Sequence, residues 1–122
     1  MSVLVDTSVW VDHLRTGNPR LAALLEQSRV LIHPWVLGEL ALGGVIRNAE
    51  VSTLLGALPR APLVSDSELV GFIQTQALHG RGVGYVDAQL LASTVLDPDA
   101  VLWSADKGLS AAAAELGVAH QT

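Results

Sequence analysis

Short, fully apolar runs alternate along the chain with longer stretches in which apolar residues recur every third or fourth position, an alternation that predicts strands and helices in turn. Ser2–Val5 is rich in β-branched residues and reads as a buried strand. A short helix follows, capped by Thr7 or Ser8, running through Trp10 and Leu14 and ended by Gly17. Asn18-Pro19 combines an N-cap with a first-turn proline and starts a second helix through Leu21, Leu24 and Leu25. Arg29–His33 reads as a second strand, after which Pro34 opens a helix that carries Glu39 and ends or loosens at Gly43-Gly44.

Downstream, a helix spans Asn48 to Leu58, and Pro59 and Pro62 bracket the entry to a third strand, Leu63-Val64. Ser65-x-x-Glu68 forms a capping box for the next helix. Gly80, Gly82 and Gly84 make a turn before a helix that opens near Asp87 and stops at Pro98. Ala100–Ser104 is a fourth strand, Leu109–Leu116 a closing helix and Gly117–His120 a short edge strand. Strands that alternate with helices imply an α/β fold of three layers (α/β/α), built on a central parallel sheet of four to five strands. At 122 residues, half of them hydrophobic, residues 1–122 read as a single domain around one core.

Composition narrows the chemistry. The absence of cysteine removes disulfides, thiolate zinc sites and thiol nucleophiles, and it fits a cytoplasmic protein. No apolar stretch approaches the roughly 20 residues needed to span a bilayer, so no membrane role is expected. The net charge of −5 argues against a broad basic face for holding nucleic acid.

Four acids stand against the apolar pattern. Asp6 closes the first strand, Glu39 interrupts Trp35–Leu42, Asp87 opens Ala88–Ala92, and Asp106 follows Val101–Ser104. Carboxylates are rarely buried unless paired, and neither Asp6 nor Glu39 has a Lys or Arg close in sequence. Taken singly, Asp6 is a helix cap, Asp87 a first-turn acid and Asp106 a helix start paired with Lys107 at the surface. One shared site accounts for all four. Ligands of open parallel sheets gather at the carboxyl ends of the strands, where Asp6 and Asp106 fall. Ionised oxygen ligands imply Mg²⁺, with Mn²⁺ as a substitute, and such ions support phosphodiester hydrolysis. Thr7 and Ser8 are placed to orient Asp6 or a metal water, Ser104 to bond substrate phosphate or a metal water, and Arg81 to contact the nucleic-acid backbone. Trp10, Trp35 and Trp103 read as core, and the four histidines have no ligand spacing.

Val3-Leu-Val-Asp-Thr-Ser8, Leu37-Gly-Glu-Leu40, Gly84-Tyr-Val-Asp-Ala-Gln-Leu-Leu-Ala92 and Leu102-Trp-Ser-Ala-Asp-Lys-Gly-Leu109 together make the chain resemble the PIN-domain nucleases over nearly its whole length. Compact members of this length are usually VapC-type toxins of toxin–antitoxin pairs. The resemblance implies a magnesium-dependent endoribonuclease that cuts RNA with Asp6, Glu39, Asp87 and Asp106 as its acid quartet. It also implies a homodimer and a cognate antitoxin that covers the active-site groove. The short segment between Gly43 and Pro59 departs from the longer helical pair these toxins often carry.

Three rivals compete with this reading. A receiver-like signalling domain would use Asp66, after the third strand, as phosphoacceptor and Lys107 after the fourth, but it would also carry adjacent acids after the first strand. A phosphohydrolase with Asp6 as nucleophile would need a second Asp where this chain has Ser8. An inactive PIN-type binding domain would have no need of an intact quartet.

Overall fold

The computed structural model describes residues 1–121. Three parallel strands, β1 (Ser2–Val5), β2 (Val30–Leu31) and β3 (Ala100–Trp103), lie in the order β2-β1-β3. Val3 sits opposite Val30 on one side and Val101 on the other. Val3, Leu4 and Val5 point alternately to the two faces of the sheet, yet all three are fully buried, so both faces are covered.

The sheet is narrower than the four to five strands expected. Its two outer neighbours are single bridges, Arg60 beside Ile32 and Ala119 beside Leu102. Leu63-Val64 is not a strand. The Val64 amide donates to Gln89 Oε1 at 2.8 Å, and its carbonyl accepts from Gln89 Nε2 at 3.0 Å. The Pro62 carbonyl takes the Ser93 hydroxyl at 2.6 Å. Proline supplies no amide for a ladder, so this segment satisfies its backbone on buried side chains instead. β2 is also shorter than Arg29–His33, because Ile32 pairs outward with the chain around Arg60 and His33 already caps the next helix.

Among the described residues seven helices surround the sheet: α1 (Thr7–Thr16), α2 (Pro19–Glu26), α3 (Pro34–Leu42), α4 (Ala49–Gly56), α5 (Asp66–Thr75), α6 (Tyr85–Leu96) and α7 (Lys107–Glu115). The caps follow the sequence signals. Asn18 Oδ1 accepts the Arg20 and Leu21 amides with Pro19 in the first turn, Asn48 caps α4, and Gly17 leaves α1 at a φ of 83°. α6 is buried continuously from Ala88 to Thr94 and packs against β3 and α5. Leu90, Leu91, Leu102, Leu109 and the β1 side chains form the centre of a single hydrophobic cluster. Among the described residues no helix is long and apolar enough to cross a membrane.

Candidate active site

The chain leaves β1 toward β2 on one side and returns through β3 on the other, so a crevice opens at the carboxyl ends of β1 and β3. Asp6 is the first residue beyond β1. Its amide donates to the Trp103 carbonyl at 2.9 Å, which carries the β1–β3 ladder past the strand and seats the side chain in the crevice. Asp6 is only 5 % exposed. Its Oδ1 accepts the Thr7 amide at 2.8 Å, and its Oδ2 accepts the hydroxyls of Ser8 at 2.8 Å and Ser104 at 2.7 Å. Both serines are held from the far strand end: Ser8 Oγ accepts the Ala105 amide at 3.1 Å and Ser104 Oγ the Asp106 amide at 2.9 Å. Asp6 is therefore the cap of α1, a role expected of Thr7 or Ser8. Those two residues are already helical, and their hydroxyls are turned to Glu39 and Asp6.

Asp106 caps α7, with Oδ2 accepting the Leu109 amide at 2.8 Å. Asp87 lies in the first turn of α6, where its Oδ2 accepts the Gly84 amide at 3.2 Å. Glu39 accepts the Thr7 hydroxyl at 2.6 Å. It is exposed on the open outer side of α3, where Leu42 is 92 % exposed. Three of the four acids thus serve as helix-terminal acceptors. Each of these bonds occupies one oxygen, and among the described residues no protein donor engages Oδ1 of Asp87 or Asp106, or Oε2 of Glu39.

Electrostatics ties the four together. The Asp87 carboxyl is raised above the ordinary carboxylate range, first by partial withdrawal from water; the Gly84 amide opposes this, and the negative charges of Asp6, Asp106 and Glu39 add to it. The ion pairs among the described residues join Met1 to Asp99 and Arg81 to Glu115, so no Lys or Arg neutralises the quartet. An all-oxygen, anionic donor set without a cationic partner suits a hard divalent ion. Among the described residues no three acid, His or Cys side chains stand close enough to enclose a metal by themselves. A hard divalent ion that keeps several of its waters, taking some carboxylates directly and others through water, needs no such enclosure.

The structure brings Thr7, Ser8 and Ser104 to the quartet but commits Arg81 elsewhere: its guanidinium meets Glu115 at 2.6 Å. Asp66 begins α5 behind the Ser65 cap and follows no strand, which removes the geometry a receiver would need. Sequence reasoning missed Gln89, His33 and Gly108. His33 is fully buried; its Nδ1 accepts the Trp35 amide at 3.0 Å, which leaves the proton on Nε2, 3.3 Å from Gln89 Oε1. Burial holds its pKa below the usual histidine value, against the Gln89 hydrogen bond. A Gln inside the apolar run Ala88–Ala92 was the available signal.

Known proteins resemble this chain in sequence and in fold. The sequence model of the PIN domain matches residues 3–115. Ribonuclease VapC32 from two strains of Mycobacterium tuberculosis is 46 % identical over 117 residues, which is 96 % of this chain and 94 % of that protein. The crystal structure of FitAcB from Neisseria gonorrhoeae superposes with a TM-score of 0.59 at 21 % identity, over 96 % of this chain and 94 % of that one, a likeness of fold.

Proposed function

Because the chain belongs to the PIN-domain family, in its VapC-type branch, we propose that it is a magnesium-dependent endoribonuclease toxin whose acid quartet is its active site. The observation that carries this reading is the gathering of the four acids at one crevice with no Lys or Arg paired to any of them, where burial first and then the charges of Asp6, Asp106 and Glu39 push the Asp87 carboxyl up. Four like charges at one crevice are costly in a fold unless a cation joins them.

Asp6, Asp87, Asp106 and Glu39 would hold the ion. When bound, it supplies positive charge for the scissile phosphate and makes a water more acidic. The remaining work belongs to the chain. Ser8 and Ser104 fix the Asp6 carboxylate in one orientation, and Thr7 fixes Glu39. Helix starts at α1, α6 and α7 turn their positive ends toward the crevice, which favours an incoming phosphodiester as well as the acids that cap them.

The same reading includes an antitoxin and a homodimer. An apolar groove of about 340 Å³ lies among α1, α2 and α4, lined by Trp10, Leu14, Leu25, Leu54 and Leu58, and supports a protein partner. The exposed apolar side of α3 supports a second copy. Incubation of purified protein with single-stranded RNA tests the activity. Cleavage is expected with Mg²⁺ or Mn²⁺ and none with EDTA; cleavage undiminished by EDTA contradicts the mechanism. Arrest of growth on expression, relieved by the cognate antitoxin, tests the toxin assignment.

A further inference from the structure

Asp87 and Asp106 come from different helices, and the contact that brings those helices together lies beside both. A β-carbon placed on Gly108 would stand 3.3 Å from the carbonyl oxygens of both Arg81 and Gly82, and 3.4 Å from Asp106 Oδ2. The two carbonyls are backbone, so only a shift of the whole turn or of α7 would make room. The turn that carries them passes through Gly80 and Gly82 at φ of 71° and 72°, a region L side chains rarely adopt. From the same turn the Arg81 guanidinium reaches Glu115, which lies about 10 Å along the α7 axis from Gly108. The turn therefore runs beside α7 and touches it near both ends. Its last residue, Gly84, donates its amide to Asp87.

We propose that residues 80–84 form a positioning strap whose close seat on Gly108, secured by the Arg81–Glu115 pair, sets the spacing of Asp87 and Asp106 across the cation site. The strap rests on the packing; its purpose rests on the proposed function. Arg81 then acts through the strap and not on the substrate.

Gly108→Ala separates the strap from a merely structural role. Gly108 is helical, where alanine favours α7 while its β-carbon crowds the turn, so a merely structural role predicts that any cost appears as lost stability, with Mn²⁺ bound as tightly as by wild type. The strap predicts faster amide exchange at residues 80–87 of the metal-free protein. It also predicts Mn²⁺ binding, read by electron paramagnetic resonance, weakened about tenfold or more without loss of thermal stability. Arg81→Ala should loosen the same amides, and the swap of Arg81→Glu with Glu115→Arg should tighten them again. Exchange unchanged in both Gly108→Ala and Arg81→Ala overturns the strap. Faster exchange with wild-type Mn²⁺ affinity overturns its role in spacing the acids. A wild type that binds no Mn²⁺ defeats the proposed function and that role together, whatever the exchange shows of the packing.

Discussion

Ser104 donates its hydroxyl to Asp6 Oδ2 at 2.7 Å and joins residues 98 positions apart in the chain. Ser104 Oγ in turn accepts the Asp106 amide at 2.9 Å, so one serine sets two acids of the quartet against each other. Ser104→Ala removes both bonds. It is expected to lower stability by roughly 2–4 kcal/mol, for one bond to a carboxylate and one to an amide, and to weaken Mn²⁺ binding by roughly tenfold. Chemical denaturation beside a Mn²⁺ titration checks this. Wild-type affinity in a destabilised variant would make Ser104 structural alone.

Asp87→Asn is expected to raise the melting temperature of the metal-free protein at neutral pH. The folded-state pKa of Asp87 lies above its ordinary 3.8, so the folded state binds the proton more tightly than the unfolded chain. Its stabilising contribution is complete below 3.8 and is lost as pH rises through the folded value. The variant lacks that loss, so its advantage should be present at pH 7 and shrink on acidification. Melting curves at several pH values decide it; a variant less stable than wild type at pH 7 would contradict the crowding of charge.

The buried His33–Gln89 pair makes a prediction of opposite sign. His33 has its pKa lowered from 6.5 by burial, so its contribution to stability is complete above 6.5 and falls as pH drops through the folded value. Gln89→Leu should cost roughly 1–3 kcal/mol for each buried group left unpaired, the Val64 amide foremost. Denaturation of both proteins between neutral and acid pH measures the two effects.

The acids were legible in the sequence because each breaks an apolar run, and the strand–helix alternation placed Asp6 and Asp106 at strand ends. Their capping roles were legible too, but as rivals to a shared site, whereas the structure has Asp6 and Asp106 cap their helices at the same crevice. Asp6 caps α1 while Thr7 turns its hydroxyl to Glu39 and Ser8 turns its own back to Asp6, an arrangement that depends on Glu39 and on the neighbouring strand end. The strand expected at Leu63-Val64 failed for a similar reason: Gln89, 25 residues away, occupies the backbone bonds that a neighbouring strand would have made. Gly108 carried no local signal, since its lack of a side chain matters only against the carbonyls of Arg81 and Gly82. What depended on local pattern could be read; what depended on a partner distant in the chain could not.

Thermal unfolding of wild type and Asp87→Asn with and without Mg²⁺ decides whether Asp6, Glu39, Asp87 and Asp106 share one cation. An ion at a hundred times its dissociation constant stabilises the folded state by about 2.7 kcal/mol. Wild type should therefore show a saturable upward shift with Mg²⁺ that is reversed by EDTA, and Asp87→Asn, more stable without metal, should gain much less. Equal shifts in both proteins, or none in wild type at millimolar Mg²⁺, would contradict a shared site.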